Sequence, residues 1–252
     1  MTTAINPKGS RVYDPGTTSL DWVTSYLLSS VGNKIIVAVT GLSLVAFVVF
    51  HMIGNLKMFS GQEAINKYAH FLKHDLGVLI WIARAGLLGL FGTHVLLTLR
   101  LKLKTASARP IGYVKTQSAQ ATPQSKAMLS TGLTIGAFTV FHLAHYSFLW
   151  IQDFPFGLDV NGNPDVYSMV VFGFSTPWIS VIYLLTQLIL FLHLTHGIQS
   201  SLQTLGLVGR RFTPAARIAG YLIASIVLGG NVAIIVAIWT GWIPPASTWN
   251  DY

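Results

Sequence analysis

Cysteine is absent from the 252 residues, which excludes iron–sulfur ligation, thiolate metal sites, covalently attached c-type haem and disulfides. Charge is scarce too: 10% of residues are charged and 52% are hydrophobic, against about 25% charged in an average soluble domain. The acidic residues, 8 against 16 basic ones, all lie in loops or terminal segments. No carboxylate dyad or Ser-His-Asp constellation can therefore be drawn. A phosphate-cradling glycine loop is missing as well, since "GLLGLFG" falls inside an apolar run with no strand before it. Any redox cofactor would have to be held by histidine.

Long apolar runs are abundant. Five of them, at about 35–55, 78–99, 128–151, 178–200 and 218–243, each match the roughly 20 residues a helix needs to cross a hydrocarbon core about 30 Å thick. The first run follows a polar and amphipathic stretch and precedes four more, so it reads as a retained span and not as a cleaved leader. The expectation is an all-α integral membrane bundle of five transmembrane helices, one membrane domain over 1–252.

The net charge of +8 is distributed by loop, as a membrane protein would have it, and does not call for nucleic acid. Lys8, Arg11 and Lys34 precede the first span; Arg100, Lys102, Lys104, Arg109, Lys115 and Lys126 follow the second; Arg210, Arg211 and Arg217 follow the fourth. Between spans three and four stand Asp153, Asp159 and Asp165 with no Lys or Arg, and the C-terminal tail carries only Asp251. The positive-inside rule places the N-terminus in the cytoplasm and the C-terminus outside.

Outside the spans, residues 1–18 read as an irregular cytoplasmic arm with Pro7, Gly9, Pro15 and Gly16. "SLDWVTSYLLSSVGNK" reads as an interfacial helix carrying Trp22 and Tyr26. "KMFSGQEAINKYAHFLKHDLG" has helical periodicity and is expected to lie on the outer surface, with Ser60 capping it three residues before Glu63. "PFGLDVNGNPDVYSM" reads as an extracytoplasmic loop, and 100–126 as a solvated connector.

Six of the eight histidines fall in spans: His51, His94, His142, His145, His193 and His196. Ionisable groups at such depth are costly and mark function. His51, His94, His142 and His193 each lie about 14–16 residues into their span, or roughly 21–24 Å at 1.5 Å per residue. Because alternate helices run in opposite directions, His51 and His142 come to the outer half, and His94 and His193 to the cytoplasmic half. Two pairs at two depths is what two bis-histidine b-type haems require. Spacing alone leaves His142 or His145, and His193 or His196, as alternatives.

Thr40-Gly41 and Thr131-Gly132 precede His51 and His142 at the same offset, almost three turns. They face the same way nearer the cytoplasm, where they could leave room for the inner haem or serve close helix packing, as the Gly132/Gly136 and Gly86, Gly89, Gly92 rows also would. Arg84, early in span two, is a candidate partner for outer-haem propionates, and Lys34 for an inner propionate or for lipid headgroups. Glu63, His70 and His74 offer titratable groups for proton exchange with a quinone, or simply a solvated face; the two histidines lack a third metal ligand.

"GLSLVAFVVFHMIGNL", "FGTHVLLTLR", "FHLAHY" and "HLTHGIQSSLQTLG" together resemble the five-helix, two-haem cytochrome b subunit of succinate dehydrogenases and fumarate reductases, over nearly the whole chain. The resemblance implies a bacterial cytoplasmic-membrane anchor for a flavoprotein subunit and an iron–sulfur subunit. Electrons would pass between their succinate/fumarate chemistry and a membrane quinone, menaquinone by preference. In the family's register Gly197 and Gly206 follow His193, and the "HM" and "HL" contexts match His51 and His142. That leaves His145 and His196 around the haems as hydrogen-bonding residues. Phe191 stands where some fumarate-reducing members carry Glu, so a proton pathway through that Glu, and the direction of the reaction, lie outside what the resemblance implies. Rival readings are a dihaem cytochrome b of a hydrogenase or formate dehydrogenase, and a proton-coupled transporter with midplane histidines.

Overall fold

The computed structural model describes residues 19–108, 123–154, 157–209 and 211–246. The expected cytoplasmic arm 1–18, Arg109 and Lys115, Arg210 and Asp251 lie outside the described residues. Eight α-helices account for most of the rest: α1 Ser19–Leu28, α2 Ser30–Asn55, α3 Gln62–His70, α4 Val78–Ser107, α5 Pro123–Tyr146, α6 Val166–Ser175, α7 Pro177–Thr204 and α8 Thr213–Trp239. Among the described residues the only β-pairing is an isolated bridge between Leu158 and Pro164. Helices α2, α4, α5, α7 and α8 are long and apolar enough to cross a membrane, and the chain is an all-α, multi-pass membrane bundle.

Local chemistry sets the helix ends. Ser29, extended at φ −68 and ψ 165, accepts from Gly32 N and starts α2 directly after α1. Pro177 and Pro214 occupy first-turn positions of α7 and α8, where the missing N–H costs nothing. The α7 C-terminus is closed by Gly206 at φ 71, whose N–H donates to Gln203 O while Leu207 N reaches Leu202 O; only glycine takes that left-handed position without strain.

The bundle consists of two pairs, α2 with α4 and α5 with α7, joined where α2 meets α7. Helix α8 backs α7, and α4 scarcely touches α5. One apolar cluster forms the outer half of the core from Tyr167, Phe174, Ile179, Tyr183, Ile235 and Ile238. A second, built from Leu194, Ile198, Ala224 and Val227 with Val45 and Val48, lies nearer the basic end. Exposed Leu88, Leu96, Val140, Leu185, Leu222 and Ile226 face outward as a lipid-facing surface should.

Four sequence expectations change. Span two continues to Ser107 and carries Arg100, Lys102 and Lys104 on its last turns. Span three stops at Tyr146, before the end of its apolar run, because Ser147 N and Phe148 N both return to Leu143 O and Trp150 N to Ala144 O. Leu149 sits there at φ 57. Ser60 ends a short 3-10 turn and caps nothing; Gly61, at φ 92, precedes α3, and a π-helical turn Phe71–Asp75 follows it.

The expected loop 155–169 gives way to α6 from Val166 onward, with Asp165 accepting from Ser168 N as its cap. Ten residues are too few to span, and α6 instead packs on α3, α7 and α8. Asn66 of α3, fully buried, ties this outer layer together: its Nδ2 donates to Asp159 and Asp165, and its Oδ1 accepts from Tyr167 N.

Candidate histidine sites

Among the described residues each histidine of the inner pair is gripped at one nitrogen and has no hydrogen-bond partner at the other. Nδ1 of His94 on α4 lies 3.1 Å from Val37 O and 3.2 Å from Thr40 Oγ1, both on α2. Nδ1 of His193 on α7 lies 3.1 Å from Thr131 Oγ1 on α5. The single proton of each threonine hydroxyl goes to its own helix, Thr40 to Ile36 O at 2.8 Å and Thr131 to Ala127 O at 2.9 Å. The threonine oxygens are thereby left as acceptors, so Nδ1 carries the proton and Nε2 keeps its lone pair. Among the described residues no hydrogen-bond partner engages either Nε2, and neither is a fully buried atom short of a partner.

The adjoining glycines seat these rings. A Cβ at Gly41 would lie 2.9 Å from His94 Cε1, and one at Gly132 would lie 3.2 Å from His193 Cε1. Thr40-Gly41 and Thr131-Gly132 thus receive the histidine of the neighbouring helix. Neither of the two sequence readings, room for a haem or bare helix packing, had named that role. The correspondence reaches further than the Thr-Gly pairs. "TGLSLVAFVVFHM" at 40–52 and "TGLTIGAFTVFHL" at 131–143 are two versions of one segment, identical at 8 of 13 positions, and His51 stacks on Phe47 as His142 does on Phe138.

In the outer half the His51 and His142 ring centroids are 5.8 Å apart with planes at 83°. His142 Nδ1 lies 3.1 Å from Tyr183 Oη, and the same oxygen lies 3.0 Å from His145 Nδ1. His145 is fully buried, and its Nε2 is engaged at 2.9 Å by Gln152 Oε1. With both nitrogens engaged, His145 has none to offer a metal. His196 is half-buried and lacks the threonine contact and glycine seat that His193 has. Tyr183 and Gln152 were missed from the sequence. A tyrosine at the outer level of a span was the only available signal for the first, and the second lies beyond the early end of α5.

The remaining candidates are placed less centrally. Exposed Arg84 lies over the Trp81 ring at 4.7 Å and forms no ion pair among the described residues. Lys73 lies nearby: partial desolvation first, and the Arg84 charge second, lower its pKa. Lys34 is exposed at the start of α2. Glu63 is exposed and paired with Lys67 at 2.6 Å, an interaction that raises the Lys67 pKa through the hydrogen bond and the carboxylate charge. His70 and His74 stack at 4.6 Å, with Asp75 Oδ1 3.8 Å from His70 Nδ1. No cluster of three or more metal-ligating side chains occurs among the described residues. No protein family, curated protein or solved structure matches the chain.

Proposed function

We propose that the chain is a dihaem cytochrome b, the membrane anchor subunit of a succinate:quinone oxidoreductase of the bacterial cytoplasmic membrane. His94 and His193 would hold an inner b haem, and His51 and His142 an outer one. The observation that carries this reading is the approach of the His51 and His142 rings to one another, beside inner imidazoles that are each held at Nδ1 by a neighbouring helix. Two imidazoles bound to one metal from opposite sides, with bonds of about 2 Å, place their centroids roughly 6 Å apart, and His51 and His142 stand at 5.8 Å.

The haems would supply one-electron transfer across the bilayer. The protein's own residues hold the ligands: Thr40, Val37 and Thr131 keep the inner imidazoles in the Nδ1–H tautomer, and Gly41 and Gly132 let them approach the neighbouring helix. Second-sphere partners of this kind orient the ring and raise its basicity. In a bilayer the surrounding apolar surface would keep water from the pairs. A flavoprotein and an iron–sulfur subunit would dock at the basic end, formed by α1, Lys34 and the α4 extension, and a quinone, menaquinone by preference, would exchange electrons with the haem pair. The exposed Glu63–Lys67 pair favours the solvated-face reading of Glu63, which leaves His70 and His74 as candidates for quinone-linked proton exchange.

The test is a pyridine haemochrome titration of the purified, detergent-solubilised complex. Two b haems per chain are expected, and one in the His94→Ala variant. No haem in the native protein, or two haems retained in the variant, would overturn the assignment.

A further inference from the structure

The His51 and His142 halves share one repeated segment, yet they differ just beyond it. His145, three residues past His142, corresponds to Gly54, three past His51. Gly54 has no side chain, and the Tyr68 ring of α3 fills the space, within 2.9 Å of where a Cβ would stand. On the other half the histidine is present, and it joins a chain of hydrogen bonds through Tyr183, His145, Gln152 and Thr176.

That chain has a direction. Gln152 Nε2 donates to Thr176 Oγ1 at 2.8 Å, so Gln152 Oε1 is the atom that faces His145 Nε2 at 2.9 Å. His145 Nε2 must then carry a proton. A fully buried imidazole with no carboxylate against it is neutral, because an unpaired buried cation is costly, so Nδ1 of His145 is an acceptor. Tyr183 donates its one hydroxyl proton to that nitrogen, and its oxygen is left to accept from His142 Nδ1–H. His142 therefore keeps its Nε2 lone pair. Were the Gln152 amide reversed, every bond in the chain would reverse, and His142 Nε2 would bear a hydrogen in place of the lone pair.

We infer that Tyr183, His145 and Gln152 are positioning residues that hold His142 in its metal-binding tautomer, with the Gln152 amide, two groups away, setting the direction of the chain. The inference rests on the haem reading above. His51 has no such support: its ring stacks on Phe47, and the outer pair is held from one side only.

The test compares potentiometric titrations and low-temperature electron paramagnetic resonance of both haems in native and variant complexes. Tyr183→Phe keeps the ring but removes the acceptor. Outer-haem affinity is expected to fall, by about the 10- to 100-fold typical of second-sphere losses, and the outer potential to rise, with the inner haem unmoved. Gln152→Glu, an acceptor only, and Gln152→Lys, a donor only, are expected to move the outer potential in opposite directions.

A charge acting through space would do the same, so both substitutions are repeated in the Tyr183→Phe background, where the relayed effect must vanish and a through-space effect persists. Persistence there, or an outer haem with unchanged potential and spectrum in Tyr183→Phe, overturns the inference while leaving the haem reading intact. Absence of haem from the native complex removes the haem reading first and this inference with it.

Discussion

A Cβ added at Gly41 on α2 would stand 2.9 Å from Cε1 of His94 on α4, a closer approach than a carbon–carbon contact tolerates. The ring cannot simply turn away, because its Nδ1 is held by Val37 O and Thr40 Oγ1. Position 41 therefore sets the seat of the inner histidine.

On the dihaem reading, Gly41→Val is accordingly expected to displace His94 and reduce the haem content from two per chain toward one. Gly132→Ala, where the contact to His193 is 3.2 Å, should be milder, with a shifted inner-haem spectrum and two haems retained. Pyridine haemochrome assays and difference spectra on both variants check the order.

The two threonines should be unequal. His94 keeps Val37 O when Thr40 is lost, whereas Thr131 is the one hydrogen-bond partner of His193 Nδ1 among the described residues. Thr131→Val should weaken inner-haem retention by about 10- to 100-fold and Thr40→Val by much less. Haem-transfer kinetics to an apo-globin acceptor would separate them; equal effects would remove the role assigned to Thr131.

The histidines one turn along each helix should not substitute for the proposed ligands. His196→Ala is expected to retain both haems and His193→Ala to lose the inner one. His145→Ala should keep the outer haem at reduced affinity, in contrast to its loss in His142→Ala. Haem counts on the four variants decide the assignment.

The outer layer should loosen in acid. Desolvation works against the Asp159 carboxylate, but hydrogen bonds from Asn163 N, Asn66 Nδ2, Asn161 N and Asn163 Nδ2 outweigh it and hold its pKa below the ordinary 3.8. A depressed folded-state pKa contributes stability that is complete above the unfolded value and lost as pH falls through the folded one. Hydrogen exchange of residues 157–175 should therefore accelerate below about pH 4. In Asp159→Asn this dependence should flatten, and a native profile flat through that range would count against the carboxylate's role. Asn66→Leu, which strips a fully buried amide from two carboxylates and a backbone N–H, should cost about 1–3 kcal/mol per group left unsatisfied and loosen the same segment at neutral pH.

Membrane class and the existence of five spans were determined by the sequence alone. Lipid forbids unpaired backbone groups and isolated charge, so an apolar run of the right length has essentially one fate. What tertiary structure decided was which imidazole nitrogens are free. His142 and His145 sit in nearly the same local context, and they differ because Tyr183 and Gln152, from α7 and from the turn after α5, engage both nitrogens of His145. His193 differs from His196 because Thr131 and Gly132 on another helix grip and seat it. Helix α6 was likewise beyond the sequence pattern: ten residues make a marginal helix alone, and it exists because Asp165 caps it and α3, α7 and α8 bury its apolar face.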